Sequence, residues 1–360
     1  MSWEQPPPKY SLLRQFLCRK VSKVTILALL SLLIIYQYVL PAAILPHHAL
    51  LFPFEKSNFD GGRVPVVAPL VGKVHALFGD PNPTYERALR LQERHAEQIG
   101  HPMFVLREKL LSGLWSKPAY ILCVILQELT LPEDVRLQWL MWNDADIVIM
   151  NSQISLDTFI PPQIEFDYVN LLVTNDRHGL NNGVFLIRVN DWSVKLLSEV
   201  IAFHKVRPNV HLKYSEQSAL ENVIQDAAWR KAVVEVPQYW FNAYPTSTDK
   251  EKFKPHEFRA GGLQIHFAGN KDGGRSDRMN QWMNISEQLL PEWDMPVEQS
   301  FYPQALKNFW AELSEKRASK GIEGGGSFKA QLSNEMVTTS AEQSSPATDI
   351  PPQNTELASA

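Results

Sequence analysis

Two aspartates separated by a single residue follow an apolar segment in the middle of the chain. Asp144 and Asp146 come directly after the run Leu137 to Trp142, and the apolar run Ile147 to Met150 follows them. Side chains with one residue between them point to the same side of an extended chain, so both carboxylates face one volume. A divalent cation would relieve their repulsion, and hard oxygen ligands suit Mg²⁺ or Mn²⁺. The alternative is a solvated acidic turn that binds nothing.

A second cluster combines a histidine with a glycine-rich loop. His266 lies at the end of an apolar segment, and the loop after it contains Gly269, Lys271 and Gly273. Glycines let backbone N–H groups approach a phosphate closely, and Lys271 offers it a positive charge. His266 is therefore a candidate metal ligand. The alternative is a hydrogen-bonded histidine of the core.

Two further groups of polar residues are candidates for binding an organic ligand. Asn181 and Asn182 precede Gly183, and an amide both donates and accepts hydrogen bonds, as the hydroxyls of a sugar require. The alternative is an ordinary Asn-Gly turn. Glu216 and Gln217 lie at the start of a predicted helix, whose positive end favours the carboxylate. The alternative role of Glu216 is that of an active-site acid.

Alternating strand-like and helix-like segments must position these groups. The predicted strands are Val74 to Phe78, Met103 to Leu106, Leu137 to Trp142, Tyr168 to Thr174, Gly183 to Val189, Val233 to Val236 and Gly262 to Phe267. The predicted helices are Thr84 to Gly100, Lys117 to Leu129, Trp192 to His204 and Ser215 to Trp229, with Ser215 as the cap of the last. The alternation predicts an α/β fold, in which ligands bind at the carboxyl ends of strands.

Charge and composition limit the classes of protein that fit. Lys and Arg number 35 and Asp and Glu number 39, which gives a net charge of −4. Five basic residues and one acid lie within the first 23 positions, so the rest of the chain is acidic. Nucleic-acid binding needs clustered Lys and Arg, and we therefore expect no nucleic-acid partner. A hydrophobic fraction of 44% excludes collagen and overall disorder.

A long uncharged segment near the N-terminus predicts a membrane anchor. No Asp, Glu, Lys or Arg occurs from Val24 to Phe54. Its apolar part would span about 26 Å as a helix from Val24 to Leu40, and about 33 Å if it continued to Leu45. The basic residues before it predict a cytoplasmic N-terminus and a lumenal body, which is a single-pass type II arrangement. The alternatives are a cleaved signal peptide and a buried helix.

These patterns divide the chain into five segments. They are a cytoplasmic tail at 1–23, a signal-anchor at 24–45, a proline-rich stem at 46–70, a lumenal catalytic domain at 71–318 and a disordered tail at 319–360.

Four separated motifs occur in the order found in a known family. The strings WNDADIVIMN, NNGVFLIRVNDWS, YSEQSALENVI and LQIHFAGNK resemble the fungal galactosyltransferase and mannosyltransferase members of glycosyltransferase family 34, which also includes the plant xyloglucan xylosyltransferases. The resemblance runs from about Lys73 to Trp282. It implies a single GT-A domain with a Rossmann-like mixed sheet flanked by helices, a Golgi type II protein, a nucleotide-sugar donor and retention of anomeric configuration.

The resemblance also implies roles for the matching residues at the metal and the diphosphate. Asp144 and Asp146 match the metal-binding and donor-binding pair, and His266 matches the third metal ligand. Lys271 matches a basic residue near the donor diphosphate, and Gly269 belongs to the same loop.

Residues at the sugar end of the donor are implied in the same way. Asn181, Asn182 and Gly183 match a sugar-binding turn of the family. Gln217 matches the glutamine of an Asp-Gln pair, and with Glu216 it is expected to steady the reacting sugar. Glu216 stands where the family pattern has aspartate, so the carboxylate is one methylene longer.

The expected function is that of a Golgi hexosyltransferase that needs Mn²⁺ or Mg²⁺. It would transfer galactose or mannose from a nucleotide sugar to mannose-containing glycans, and the residues do not distinguish the donors. The alternatives are a non-catalytic glycan-binding subunit of a mannosyltransferase complex and a metal-dependent phosphatase or nucleotidyltransferase. The expected partners are the donor, the glycan acceptor, the membrane and a glycosyltransferase complex. The sequon at Asn284 is a candidate glycosylation site.

Overall fold

The computed structural model of the chain describes residues 70–246, 254–269 and 271–319. The predicted membrane anchor at 24–45 lies outside these residues, as does nearly all of the predicted stem and C-terminal tail. None of the described helices is both long enough and apolar enough to cross a bilayer. The predicted α/β class is confirmed for the part of the chain that the structure describes.

Strands and helices alternate along the described chain. The strands are β1 (Val71–Ala76), β2 (Met103–Leu106), β3 (Trp139–Asn143), β4 (Ile147–Ile149), β5 (Leu171–Asp176), β6 (Gly179–Arg188), β7 (Val233–Glu235) and β8 (Gln264–His266). The longer helices are α1 (Pro83–Ile99), α2 (Ser116–Leu129), α3 (Asp191–Val206), α4 (Glu216–Val223), α5 (Arg275–Ser286) and α6 (Tyr302–Ser319).

Six of the described strands form the main sheet, in the order β2-β1-β3-β6-β5-β7. β1 is parallel to both β2 and β3, and β5 is parallel to β7. β6 lies between β3 and β5 and is antiparallel to both. The carboxyl ends of β1, β3 and β5 therefore meet the amino end of β6 at one edge of the main sheet, which we call the ligand edge.

β4 and β8 form a two-stranded antiparallel ribbon that continues from the ligand edge. Ile147 pairs with His266, and Ile149 pairs with Gln264. The backbone N–H of Phe267 donates to the carbonyl of Asp146 at 3.0 Å, which extends this pairing by one step. Strand pairing alone thus brings Asp146 next to His266, although 119 positions of the chain separate the two residues.

α1 has clear start and stop signals in its sequence. The side chain of Asn82 accepts from the backbone N–H groups of Thr84 and Tyr85, and Pro83 occupies the first turn, where a missing N–H costs nothing. Gly100 ends the helix in the left-handed conformation, with φ of 74°. The predicted helix from Thr84 to Gly100 is therefore confirmed almost to the residue.

The predicted helix from Ser215 to Trp229 is wrong in two respects. α4 ends at Val223, and a separate turn from Ala227 to Arg230 follows. Asp226 between them has extended backbone angles, since its φ is −66° and its ψ is 138°. Ser215 makes no side-chain hydrogen bond to the helix and has φ of 52°, which a serine rarely adopts. The structure also adds α5, α6 and the short strand β4 to the predicted elements.

The largest hydrophobic core joins the main sheet to the C-terminal helix. Its aromatic residues include Phe159, Trp240, Tyr302 and Trp310. Phe159 makes edge-to-face contacts with Phe241 and with Tyr302. The Tyr302 hydroxyl donates to the carbonyl of Trp240 and accepts from the N–H of Leu263 at 2.9 Å.

We expect Tyr302→Phe to reduce the free energy of unfolding by about 1–3 kcal/mol, because it leaves two buried backbone groups without their partner. Urea unfolding measures the change. The exposed Tyr214 offers the control, and Tyr214→Phe should change stability by less than about 0.5 kcal/mol. Equal stability of Tyr302→Phe and the wild type would contradict a stabilising role for the hydroxyl.

Candidate metal and donor site

Asp144 is held by two donors at the carboxyl end of β3. Its Oδ1 accepts from Lys117 Nζ at 2.9 Å and from the indole N–H of Trp142 at 2.7 Å. Its backbone N–H donates to the carbonyl of Gly183 at 2.9 Å, which joins it to β6. The side chain remains 34% exposed, so its second oxygen is accessible from the ligand edge. A ligand at this edge would meet a carboxylate of fixed orientation.

Asp146 lies deeper, between an imidazole and a guanidinium. Its Oδ1 is 3.4 Å from His266 Nε2, and its Oδ2 is 3.0 Å from Arg275 Nη1. Burial alone would raise the pKa of Asp146, but its interactions with His266 and with the Arg275 guanidinium outweigh burial and lower it. Asp146 is therefore an anion throughout the neutral range.

Asn242 fixes which nitrogen of His266 faces Asp146. The amide nitrogen of Asn242 donates to Thr174 Oγ1 at 2.7 Å and to the carbonyl and side-chain oxygens of Asn181 at 3.2 and 3.1 Å. Its Oδ1 therefore points the other way and lies 2.7 Å from His266 Nδ1, which must donate to it. Nε2 is left for Asp146 or for a metal ion. An outer hydrogen bond of this kind is what orients metal-binding histidines.

Gly183 provides the space that the imidazole occupies. A Cβ at this position would lie 2.2 Å from His266 Cε1 and 2.8 Å from Nδ1. Gly183 lies inside β6, where its backbone does not need positive φ. The absence of a side chain, rather than conformational freedom, is what this position requires.

Asp144, Asp146 and His266 form the metal-ligand cluster. One ligand atom from each lies within 4.8 Å of those of the other two. The predicted proximity of the three residues is therefore confirmed. Two carboxylate oxygens and one imidazole nitrogen suit Mn²⁺ or Mg²⁺, and His266 Nε2 lies 3.4 Å from Asp146 Oδ1. The set of side chains fits a divalent cation, and its occupation by one stays a prediction.

The asparagine pair does not form the predicted turn. Asn181 and Asn182 lie within β6 and are buried. The amide of Asn181 donates to the Tyr244 hydroxyl at 2.7 Å and to Asp176 at 3.1 Å, so internal partners use its hydrogen-bonding capacity. Asn182 accepts from Lys117 Nζ through both its carbonyl, at 2.6 Å, and its side chain, at 3.1 Å. β6 begins at Gly179 because the chain reverses at Arg177 and His178 instead.

Glu216 and Gln217 reach the same edge from the start of α4. Gln217 Oε1 accepts from the backbone N–H of Asn182 at 3.3 Å. Glu216 is 4% exposed, and its Oε2 has no hydrogen-bond partner among the described residues. Burial raises the pKa of Glu216, Lys117 opposes that shift and Asp144 adds to it. An unpartnered buried carboxylate oxygen is costly unless a ligand completes it.

We expect the stability gap between Glu216→Gln and the wild type to depend on pH. A carboxyl whose pKa is raised in the folded state stabilises the protein at low pH, and that contribution is lost as the pH rises through the folded value. The ordinary pKa of a glutamate in the unfolded chain is about 4.3. As the pH rises from there to about 8, the wild type loses the contribution of its protonated Glu216, so the variant should gain stability relative to the wild type. Urea midpoints across this range measure the gap, and parallel curves would contradict the raised pKa.

The glycine-rich loop carries the remaining predicted residues. Gly269 has φ of 75° and Gly273 has φ of 72°, which other residues rarely adopt. Lys271 is exposed on this loop. Lys271 follows His266 by five positions in the chain. Its contact with a diphosphate stays a prediction.

A small pocket, partly open to solvent, borders Asp144 of the metal-ligand cluster. His75 and Ala76 from the end of β1, Tyr85 and Gln92 from α1, and Asp144 are among the residues that line it. The Tyr85 hydroxyl accepts from Arg275 at 3.0 Å. The cavity and the cluster are thus connected through Arg275.

Sequence reasoning missed three residues of the site. Lys117 is 8% exposed in its side chain and begins an otherwise apolar helix, which is an unusual position for a lysine. Arg275 is the first cation after the glycine-rich loop. Asn242 lies in the aromatic run from Tyr239 to Tyr244, where a lone amide implies a buried polar partner.

The fold and the site define a mixed α/β protein with an Asp-Asp-His cluster at the ligand edge of its main sheet. The sequence profile of the galactosyl transferase GMA12/MNN10 family matches residues 160–277. This match and the two curated relatives described next support membership of glycosyltransferase family 34. The matched segment includes Glu216, Gln217 and His266, whereas Asp144 and Asp146 lie just before it.

Two curated relatives support the family assignment. The probable alpha-1,6-mannosyltransferase MNN10 of Saccharomyces cerevisiae is 27% identical over 192 residues, which are 43% of this chain and 48% of the relative. The uncharacterized alpha-1,2-galactosyltransferase C637.06 of Schizosaccharomyces pombe is 25% identical over 190 residues, which are 43% of this chain and 53% of the relative. The matched region spans about half the length of these relatives.

Among solved structures, two glycosyltransferases are similar to this chain. A glycosyltransferase involved in the glycosylation of the major capsid of PBCV-1 is 14% identical with a TM-score of 0.45, over 59% of this chain and 100% of that one. The glycosyltransferase GlyE of Streptococcus pneumoniae is 13% identical with a TM-score of 0.33, over 73% of this chain and 66% of that one.

Proposed function

We propose that this protein is a metal-dependent hexosyltransferase that transfers galactose or mannose from a nucleotide sugar to mannose-containing glycans. The observation that carries the proposal is the convergence of Asp144, Asp146 and His266 within 4.8 Å at the ligand edge. Membership of the galactosyl transferase GMA12/MNN10 family and the names of both relatives support transfer of a hexose.

The residues of the cluster would prepare the site for a negatively charged leaving group. A divalent cation held there would offset the charge that develops on the donor diphosphate as the sugar–phosphate bond breaks. Lys117 and Trp142 hold the Asp144 carboxylate in one orientation. Asn242 holds the His266 ring, so that Nε2 faces the cluster. These groups are in place before the substrate binds, which lowers the cost of reorganisation.

The sugar of the donor would lie toward α4. Glu216 has a buried oxygen without a hydrogen-bond partner among the described residues, which a sugar hydroxyl would satisfy, and Gln217 is the next residue of the chain. Asn181 has its hydrogen bonds satisfied internally, so its contribution would be to support Asn242 rather than to bind the donor. Retention of anomeric configuration is proposed from the family resemblance.

The nucleoside of the donor would lie against the small pocket, or cavity, that Tyr85 and His75 help to line. It lies at the carboxyl ends of β1 and β3, where open α/β sheets bind ligands. Asp144 borders both the cavity and the cluster, so one extended ligand could reach both.

The cellular arrangement is part of the same proposal. We propose a GT-A fold, an anchor at residues 24–45 and a lumenal body in the Golgi. The sequence of the anchor and its basic N-terminal flank support the orientation. Protease treatment of intact and of permeabilised vesicles tests it, because a lumenal body is digested only after permeabilisation.

Transfer by purified full-length protein tests the function. The protein is incubated with Mn²⁺, a manno-oligosaccharide and either UDP-galactose or GDP-mannose, and the glycan products are resolved by mass. We expect a product one hexose heavier with one of the two donors, and loss of that product with excess chelator. The anomeric configuration of the product, read by NMR, tests retention.

The competing functions give different products in this assay. Release of inorganic phosphate from a phosphorylated substrate, with no elongated glycan, would favour a phosphatase or nucleotidyltransferase. Glycan binding with no turnover of either donor would favour a non-catalytic subunit. Either result would overturn the proposed transfer.

A further inference from the structure

Arg275 lies against the carboxylate at the centre of the metal-ligand cluster. Its Nη1 is 3.0 Å from Asp146 Oδ2 and donates to the Tyr85 hydroxyl at 3.0 Å. Its Nε donates to the carbonyl of Gly269 at 3.1 Å. The side chain is 20% exposed, so most of the guanidinium is shielded from water.

This contact places a fixed positive charge next to the proposed cation. Asp146 faces His266 with Oδ1 and Arg275 with Oδ2. Arg275 therefore already offsets part of the negative charge of Asp146 that would attract a divalent cation. Like charges repel most strongly where water is excluded. Arg275 and a divalent cation therefore compete for the Asp146 carboxylate.

We propose that the Arg275 guanidinium leaves Asp146 and pairs with the donor diphosphate when donor and cation bind together. The inference rests on the proposed function and deepens it. A guanidinium pairs with phosphate oxygens through two parallel hydrogen bonds, and a diphosphate bound at the cluster would lie within its reach. Arg275 thus weakens binding of the cation alone and favours its binding when the diphosphate is also present.

The loop before Arg275 permits this change of partner. Gly269 and Gly273 have positive φ, and a Cβ added at either would meet no heavy atom within 4 Å. The backbone at Gly269 and at Gly273 therefore faces open space.

Competition with the cation and exchange onto the diphosphate predict that one variant will bind Mn²⁺ more tightly and pyrophosphate more weakly. We expect Arg275→Gln in the full-length protein to bind Mn²⁺ alone about tenfold more tightly than the wild type, because the competing charge is gone. With saturating Mn²⁺, the same variant should bind inorganic pyrophosphate about tenfold more weakly. Calorimetric titrations with Mn²⁺ alone, and with pyrophosphate after Mn²⁺, measure both affinities.

Two further variants separate exchange from a structural role. Arg94→Gln removes the same charge from an exposed ion pair with Glu287, and it should leave both affinities within about twofold of the wild type. Arg275→Lys keeps the charge but loses the paired hydrogen bonds, so it should weaken pyrophosphate binding while leaving Mn²⁺ affinity near that of the wild type. Thermal unfolding of each variant reports its folding.

The outcomes distinguish the inference from the function on which it rests. If the wild type binds no Mn²⁺, the metal-ligand cluster and the exchange both fail. If the wild type binds Mn²⁺ and Arg275→Gln lowers both affinities or changes neither, the exchange alone is overturned. Opposite changes in the two affinities support it.

Discussion

Asp146→Asn is expected to reduce sugar transfer about a thousandfold and to abolish measurable Mn²⁺ binding. Asparagine has the size of aspartate but lacks its charge, so the cluster would lose the anion that lies between His266 and Arg275. Initial rates with saturating Mn²⁺ and calorimetric titration of Mn²⁺ measure the two effects. The lowered pKa of Asp146 predicts that the wild-type site keeps this charge well below neutral pH.

Asp167→Asn supplies the matched control. Asp167 is 76% exposed and pairs with Arg188 on the surface, so its replacement should change neither the rate nor Mn²⁺ affinity by more than about twofold. Wild-type turnover by Asp146→Asn, with an unchanged requirement for Mn²⁺, would remove Asp146 from the metal site. Circular dichroism of both variants separates a lost charge from a lost fold.

Gly183→Ala is expected to lower transfer at least about a hundredfold, because a displacement of about 1 Å in a site of this kind costs that much. The added methyl group would lie 2.2 Å from His266 Cε1, and Asn242 holds the ring through a hydrogen bond at Nδ1. The imidazole must therefore leave its position. Mn²⁺ affinity, measured by titration, should fall by about 10–100-fold.

A double-mutant cycle tests whether the methyl group acts through the imidazole. In a His266→Ala background the methyl group has no ring to displace, so adding Gly183→Ala should change Mn²⁺ affinity by less than about twofold. Gly72→Ala is a second control, since its Cβ would lie 2.6 Å from the Leu137 side chain in the core. That variant should lose stability but keep its affinity for Mn²⁺. Independent, additive effects of Gly183→Ala and His266→Ala would contradict the proposed role of Gly183.

The sequence was informative about elements that carry strong local signals. α1 begins at Asn82 and ends at Gly100, and both residues are recognisable from their type and position. The split between α4 and the turn after it was not predictable in this way. Ser215 has φ of 52°, which contradicts its local preference as a helix cap. β4 has three residues, too few for a periodic pattern.

The residues of the site likewise divide into those that the sequence predicts and those that it does not. The aspartate pair and His266 were predictable because each follows an apolar run that ends at the edge of a sheet. Lys117 and Arg275 were not, because what identifies them is their contact with Asp144 and Asp146, 27 residues or more away in the chain. The amides of Asn181 and Asn182 were recognised as polar groups of the site but placed in a turn. Their burial inside β6 depends on where the chain reverses. The Asn-Gly pair suggested a turn at Asn182 and Gly183, whereas the chain reverses at Arg177 and His178.

The direction of β6 has a consequence for how such a chain can change in length over evolution. Among the described strands of the main sheet, β6 alone runs against its neighbours, so the polypeptide enters it at the ligand edge and leaves it at the opposite edge. One inserted residue between Gly179 and Gly183 would move the glycine away from the imidazole and bring a side chain into that space. One inserted residue after Arg188 would only lengthen a connection on the distant edge. Insertions and deletions should therefore accumulate after β6 and be eliminated within its first five residues, Gly179 to Gly183.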